Sequence, residues 1–394
     1  MQTSQTDTRT NYLLGFARIL TGALFIFSGF IKANDPTGFG YKLQEYFEVF
    51  GTHFLNDYAI TIAVVICSLE ILLGALLLLG FWGRKVAWGL LLLILFFTFL
   101  TFYSAFFEVV TSCGCFGDAI PLTPWQSFSK DLVLLLLILI IFINRKQIKP
   151  LFTGWFAQSA LTAIVVVISL GIGIYTLNFL PFIDFLPYKK GNNLPKRMTL
   201  PEGEVGDQYE ITYTLKNKAS GAEKQVSDKV YLADELWKDD SWEIVGDPES
   251  KLVKKGYQVP ISDLFISNAN GDDVTHELIE NPYYNLIVVA WDLEKTNPEA
   301  LRNINAVVLK AAESYNIRAV LLTASSTQLA QRVSDELSLL TEIFYADAVP
   351  LKSMVRANPG VLLMQNGTVI DKWHYNTLPD FETLDKQYFS KISQ

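Results

Sequence analysis

The sequence predicts two unlike halves: a membrane-spanning α-helical bundle, then a water-soluble α/β region. Three observations predict this. Only 18% of the 394 residues are charged and 50% are hydrophobic, whereas soluble domains run near ~25% charged. The charges are also unevenly placed. Residues 1–184 hold 10 Lys+Arg and 10 Asp+Glu, and residues 185–394 hold 22 and 30, which is the whole net charge of −8. Finally, apolar runs of the ~20 residues needed to cross a bilayer occur only in the first half. The lipid bilayer is therefore an expected partner. An acidic total without a basic block argues against nucleic acid.

Five spans are expected. Val86–Phe107 and Pro150–Ile183 carry no charge, and Ala160–Leu180 is the core of the latter. Tyr12–Ile31 encloses Arg18, Tyr58–Gly80 encloses Glu70, and Trp125–Ile143 has Lys130 and Asp131 near its start. The first span reads as an uncleaved anchor. Its head lacks a basic cluster, its apolar stretch is long, and Ser28-Gly29-Phe30 is a poor cleavage site. Orientation follows from the short loops. Gly83-Arg84-Lys85 and Asn144–Lys149 are basic and contain no acid, so they read as cytoplasmic. The N-terminus is then cytoplasmic and the C-terminal half lies outside, in keeping with a bacterial inner membrane and a periplasmic domain. The chain divides into 1–147 (four-helix bundle), 148–184 (fifth helix), 185–256 (β-rich linker or insertion) and 257–394 (α/β domain).

Two of the three cysteines, Cys113 and Cys115, sit in the loop Thr111–Asp118 after the third span. That loop is expected on the oxidising side, where disulfides persist. A bridge with only Gly114 between its cysteines closes a small ring, departs from relaxed geometry and should be readily reduced. Gly114 and Gly117 relax the backbone there. Three readings stand: a redox pair, a structural bridge, or soft-metal ligands with His53 as a third donor. A structural bridge would restrain almost no loop. No metal is assigned. Cys67, inside the second span, reads as a packed core residue.

Arg18, Gly22, Phe25 and Gly29 share one face of the first span, and its glycines permit close helix approach. Arg18 is ~9 Å from the cytoplasmic end and Glu70 ~15 Å deep, a gap that a long Arg side chain spans. An Arg18–Glu70 ion pair is therefore expected, functional or merely fixing helix register. Lys32, at the outer end of the first span, would favour a nearby thiolate or snorkel to the headgroups. Phe39, Leu43, Tyr46, Phe47, Phe50 and Phe54 have the spacing of an amphipathic surface helix. It would cover the cysteine loop or pack on the top of the bundle.

Together these features resemble the DoxX/MauE family of membrane proteins. The carrying residues are Arg18, Gly22, Phe25, Ser28, Gly29 and Lys32, then Asp35-Pro36, Glu70 with Gly74, and above all Cys113-Gly114-Cys115-Phe116-Gly117. The last resembles the MauE branch in particular, and the likeness covers about residues 10–145. It implies a four-helix bundle and a link to disulfide formation in periplasmic methylamine dehydrogenase. DoxX relatives imply thiosulfate and quinone redox systems, so a quinone is the candidate cofactor. Arg18, Lys32, Glu70, Gly114, Phe116 and Gly117 would support the cysteines. The fifth span and the large C-terminal region depart from the family.

In the second half, Tyr209–Leu215 alternates like a half-exposed strand, with Lys229–Leu232 as its expected partner. Leu286–Trp291 and Arg318–Thr323 read as buried strands. Pro298–Tyr315, capped near Asn297, and Ser326–Leu339 read as helices. Gly360–Met364 and Thr368–Trp373 flank the hairpin signal Asn366-Gly367. This order resembles a thioredoxin-like fold, with Asn358-Pro359 where such folds carry a cis-proline. The motif Cys-x-x-Cys is missing: after Trp291 the chain reads Asp292-Leu293-Glu294-Lys295-Thr296. No cysteine follows Cys115, so this domain cannot itself exchange disulfides. Trp291, Asn358 and Pro359 are the expected partner-binding residues. His276 and His374 read as ordinary surface or satisfied histidines.

Two functions follow. One is a membrane thiol-disulfide oxidoreductase in which Cys113 and Cys115 exchange disulfides with an extracytoplasmic client. The other is a non-enzymatic envelope scaffold whose cysteine-free thioredoxin-like domain binds a partner.

Overall fold

A computed structural model describes residues 3–110, 114 and 116–391 of the chain. Six helices make up the first half: α1 (Thr3–Asn34), α2 (Pro36–Val49), α3 (Ala59–Leu79), α4 (Gly83–Phe107), α5 (Pro124–Ile143) and α6 (Trp155–Asn178). Five stretches are long and apolar enough to cross a membrane, Tyr12–Asn34, His53–Leu79, Gly83–Phe107, Pro124–Ile143 and Trp155–Asn178. They match the expected spans to within a few residues, except that the second and the fifth each begin five residues early, before Tyr58 and Ala160. α5 starts on a capping box, in which Thr123 accepts from the Gln126 amide and the Gln126 side chain accepts from the Thr123 amide.

The helices α1, α3, α4 and α5 enclose Phe25, Leu77, Phe81, Leu90, Ile94 and Ile138. The α1–α3 crossing is close because glycines line it. A Cβ on Gly22 would meet Leu78 at 2.6 Å, and one on Gly29 would meet the Cys67 carbonyl at 2.9 Å. Helix α6 packs outside this core, where the Thr176 hydroxyl donates to the Ala33 carbonyl at 2.7 Å.

The expected amphipathic helix is α2. It buries Phe39, Leu43 and Tyr46 against the bundle. It stops before Phe54, because the chain turns at Gly51 (φ 67°) and a short 3-10 segment, His53–Tyr58, leaves Phe54 exposed.

After α6 comes a short helix α7 (Leu194–Met198), then β1 (Gln208–Asn217), β2 (Glu223–Ser227), helix α8 (Asp228–Ala233), β3 (Trp242–Ile244) and β4 (Glu249–Lys254). Strand β1 pairs antiparallel with β2 on one side and with β3 and β4 on the other. The expected partner of β1, Lys229–Leu232, is helical instead. Ser227 caps α8 by accepting from the Val230 amide, and a Ser-Asp start favours a helix N-terminus over strand continuation.

The α/β domain adds α9 (Thr275–Ile279), β5 (Asn285–Val289), α10 (Pro298–Tyr315), β6 (Arg318–Thr323), α11 (Thr327–Leu337), β7 (Glu342–Tyr345), α12 (Ala348–Met354), β8 (Gly360–Gln365), β9 (Thr368–His374) and α13 (Phe381–Gln387). The sheet order is β7-β6-β5-β8-β9. Strands β5, β6 and β7 are parallel, and the β8–β9 hairpin is antiparallel. This is a thioredoxin-like arrangement. Alternate residues of β5 serve two cores. Ile287 and Val289 face one with Leu278 and Met354, and Leu286 and Val288 face the other with Leu301 and Ile304. Strand β7 and helices α12 and α13 had no expectation. Each is seven residues or fewer, too short for periodicity to show.

Candidate functional site

The polar groups of the bundle gather where it meets the α/β domain. Lys32, near the C-terminus of α1, is 3% exposed. Its Nζ donates to Ser28 Oγ at 2.9 Å and to Glu70 Oε1 at 2.5 Å. The ammonium also sits over the Phe97 ring, 4.7 Å from its centroid. Glu70 is 1% exposed, and among the described residues its Oε2 has no hydrogen-bond partner.

Glu70 therefore pairs with Lys32, and the expected Arg18–Glu70 pair is overturned. Arg18 Nη2 instead donates to the Leu77 and Leu78 carbonyls, at 3.2 and 3.4 Å. The cause is register. With Gly29 seated against Cys67 and Glu70, Arg18 lies about three turns of α1 further away, beside the last turn of α3. Carbonyls of a last helical turn have spare acceptor capacity; that of Leu77 also accepts from the Gly80 amide at 3.2 Å. Helical side chains lean toward the N-terminus of their own helix. In an antiparallel pair, Lys32 and Glu70 therefore lean toward each other.

A second pair stands alongside. Lys130 Nζ meets Asp131 Oδ1 at 2.5 Å, and Asp131 Oδ2 accepts from the Thr101 hydroxyl at 3.0 Å. Between the two pairs is a cavity of about 180 Å3. Apolar side chains such as Leu24, Phe25, Ile94, Phe97 and Leu134 line it, together with Lys32, Glu70, Lys130, Asp131 and Phe116.

Phe116 belongs to the loop singled out by the sequence. Its ring lies 5.6 Å from that of Phe27 and 5.3 Å from Lys130 Nζ. Gly114 (φ 66°) and Gly117 (φ 51°) take the left-handed backbone expected of glycine. The Gly117 amide donates to the Gly114 carbonyl at 3.1 Å. Gly114 lies against Lys42 and Phe39 of α2, and Gly117 against Ile31 of α1. Cys113 and Cys115 lie outside the described residues. Cys67 is buried with a free thiol. Among the described residues no group of three or more His, Cys, Asp or Glu could hold a metal ion. His53 is exposed and faces Glu48 at 2.7 Å.

The α/β domain reaches this end of the bundle. Arg356, with its side chain 7% exposed, donates from Nε to Asp35 Oδ2 at 2.8 Å and from Nη2 to Asp118 Oδ2 at 3.4 Å. Burial works against its charge, but Asp35 and Asp118 outweigh burial and raise its pKa. Burial likewise pushes the Asp118 carboxyl up. Lys372 pairs with Asp184. Tyr41 of α2 meets Trp291 edge-on at 6.3 Å, and Lys352 Nζ sits 4.4 Å from the Tyr41 ring and 4.5 Å from Trp291. Between bundle and domain lies a cleft of about 690 Å3, lined in part by Lys32, Tyr41, Gly114, Gly117, Lys352 and Arg356.

Of the three expected partner-binding residues, Trp291 thus meets the chain's own α2. Asn358 holds the 292–296 turn, donating to the Asp292 carbonyl at 2.8 Å and accepting from Thr296 at 3.0 Å. Pro359 is buried, and its bond to Asn358 is cis. His276 is a surface residue beside Glu280. His374 is buried and accepts from the Asn376 amide. Sequence reasoning marked Asp35 only as part of the family resemblance and Asp118 only as the end of the cysteine loop, and it missed Tyr41, Lys352 and Arg356. Lys130 and Asp131 were visible as charges inside a span, a signal that by default marks function.

"Protein TlpB" of Flavobacterium psychrophilum is 28% identical to this chain over 139 residues, which is 34% of this chain and 37% of that protein. The match thus spans little more than a third of that relative's length. Residues 10–144 match the family described as Methylamine utilisation protein MauE. That segment is the bundle α1–α5, so the chain carries a MauE-type membrane domain at its N-terminal side, followed by α6 and an α/β domain.

Proposed function

We propose that this is an integral membrane thiol-disulfide redox protein in which Cys113 and Cys115 exchange disulfides with extracytoplasmic partners. One observation carries the reading. The loop that holds the pair puts Phe116 over a cavity with two ion pairs inside the bundle. A buried cation beside a thiol favours the thiolate, which is the attacking species. In one exchange, a client dithiol reduces the loop disulfide, so the client gains an S–S bond and the loop becomes a dithiol; the reverse direction balances equally. The turns Gly83–Lys85 and Asn144–Lys149 lie at the opposite end of the bundle and are basic, which supports a cytoplasmic far end and a periplasmic α/β domain.

A quinone suits the cavity. The walls are apolar, Lys32 and Lys130 are cations in the lining, and Glu70 Oε2 is a buried acceptor to which no described residue donates. Bound there, a quinone would supply an acceptor for two electrons and two protons. Lys32 and Lys130 would hold its carbonyl oxygens, and Phe97 and Phe116 would keep water out.

The test is replacement of Cys113 or Cys115 by Ser in the full chain. Single variants should trap mixed disulfides with envelope proteins, and the double variant should lose exchange. A double variant with unchanged function would overturn the reading. It would favour a membrane-anchored scaffold instead, a role to which the absence of any cysteine after Cys115 lends support.

A further inference from the structure

At the end of the bundle away from the α/β domain, two turns far apart in sequence bring five cations together. Arg84 and Lys85 open α4, and Arg145, Lys146 and Lys149 follow α5. The two turns are stacked. A Cβ on Gly83 would fall 2.9 Å from Ile148 and 3.4 Å from the Arg145 carbonyl, and one on Gly80 would strike the Lys149 carbonyl. The Leu151 amide donates to the Leu79 carbonyl at 3.0 Å. No Asp or Glu occurs in residues 71–107 or 132–183. Among the described residues none of the five cations is in an ion pair. Like charges held this close make a strongly positive surface. Within it, one spot is shaped. Arg84 and Trp88 are one turn apart on α4 and share a face. The Trp88 ring meets Phe142 of α5 edge-on at 4.6 Å. The Arg145 guanidinium lies 4.2 Å from the same Phe142 ring and donates from Nη1 to the Phe142 carbonyl at 2.6 Å. That contact fixes the guanidinium and uses one of its five N–H donors. Leu92 and Leu95 continue the Trp88 face of α4, and Leu139 the Phe142 face of α5, all exposed. Two arginines, an aromatic ledge and an apolar track thus follow one another along the α4–α5 seam.

We propose that this seam binds an anionic phospholipid. Its phosphodiester lies between Arg84 and Arg145, its glycerol on the Trp88–Phe142 ledge, and its acyl chains along Leu92, Leu95 and Leu139. The order of groups matches that of a lipid from head to tail, with aromatic rings at the interface level. Arginine suits the head because its planar fork bonds two phosphate oxygens at once. Lys85, Lys146 and Lys149, all exposed, draw anionic headgroups to the site. Charge complementarity selects the occupant: a zwitterionic lipid offers the same phosphate but brings its own cation to a surface that already has five. The proposal is independent of thiol exchange.

The test is native mass spectrometry of the full-length protein in a neutral detergent, incubated with equimolar dioleoylphosphatidylglycerol and dioleoylphosphatidylcholine. The wild type should retain phosphatidylglycerol several-fold over phosphatidylcholine. Equal retention of the two would overturn the proposal, and would leave these cations the sole task of orienting the chain during insertion. Inorganic phosphate at the lipid's concentration should not displace phosphatidylglycerol; displacement would mean a free-anion site and overturn the choice of a lipid. Replacing Arg84 and Arg145 together by Gln should abolish the preference, and Trp88→Leu should weaken it. Replacing both arginines by Lys keeps every charge, and with it the signal for insertion. That variant should still lose the preference several-fold, because lysine cannot fork two oxygens. Full preference in the double Lys variant would overturn the site, since diffuse charge would then suffice. Lys146→Gln with Lys149→Gln should give a smaller loss than the Gln pair at 84 and 145; a larger one would place the headgroup elsewhere and overturn the seam.

Discussion

The two ends of the bundle handle buried charge differently. At the far end the half-buried Arg18 finishes on the carbonyls of Leu77 and Leu78, and Arg145 on that of Phe142. Among the described residues Arg18 has no counter-ion, and it satisfies the end of a helix. At the end beside the α/β domain, Lys32–Glu70 and Lys130–Asp131 are full ion pairs around a cavity. Among the described residues nothing donates to the carboxylate oxygen Glu70 Oε2. A buried ion pair is weak evidence for stability, since well-packed apolar residues do as well. Charge retained around a cavity is where we place the chemistry, whereas charge capping carbonyls points to architecture.

Variants can break that contrast. The largest effect is expected from Glu70→Leu alone, which strands the Lys32 ammonium and should cost about 3–5 kcal/mol. Thermal unfolding in micelles would show it. Adding Lys32→Met should recover most of the stability while thiol exchange stays lost. Recovery of both would make the pair structural and erase the difference between the two ends.

Arg18→Met comes next. Loss of hydrogen bonds from a charged donor should cost about 1.5–3 kcal/mol and leave exchange rates unchanged; slowed exchange would mean the far end takes part. Gly29→Ala should cost about 1–3 kcal/mol by overpacking, because its Cβ would fall 2.8 Å from Ile71. Gly15→Ala in the same helix meets nothing within 4 Å and should be neutral or slightly stabilising.

A pH-dependent effect lies outside the membrane. Burial lowers His374 from 6.5 to about 4. The unfolded chain therefore takes up this proton first as pH falls. Stability of the α/β domain should be full above pH 6.5 and decline toward pH 4. His374→Phe should flatten that decline in a pH series of melts, and an unchanged slope would remove His374 as its source.

Much of this was legible in the sequence. Apolar run length fixes the five spans, because the bilayer sets a length that local composition must meet. Helix α10 appears with its Asn297 cap and first-turn Pro298, and the β8–β9 hairpin with its Asn366-Gly367 turn, because those signals are local. The loop 113–117 is conspicuous for the same reason. The reversed assignment of Glu70 shows the limit. Depth along a helix was estimated from each helix alone, but the partner was decided by how Gly22, Gly29 and Gly74 seat α1 on α3.

The sequence by itself determined the division into an oily neutral half and an acidic wet half, the location of all three cysteines in the first, and the absence of a thiol from the second. Those follow from composition and local pattern. Only the tertiary structure decided that Lys32 is the partner of Glu70, that two ion pairs share one cavity, and that Arg356 reaches back across 321 positions to Asp35. These depend on helix register and on how two separately folded layers meet. No local propensity encodes either one.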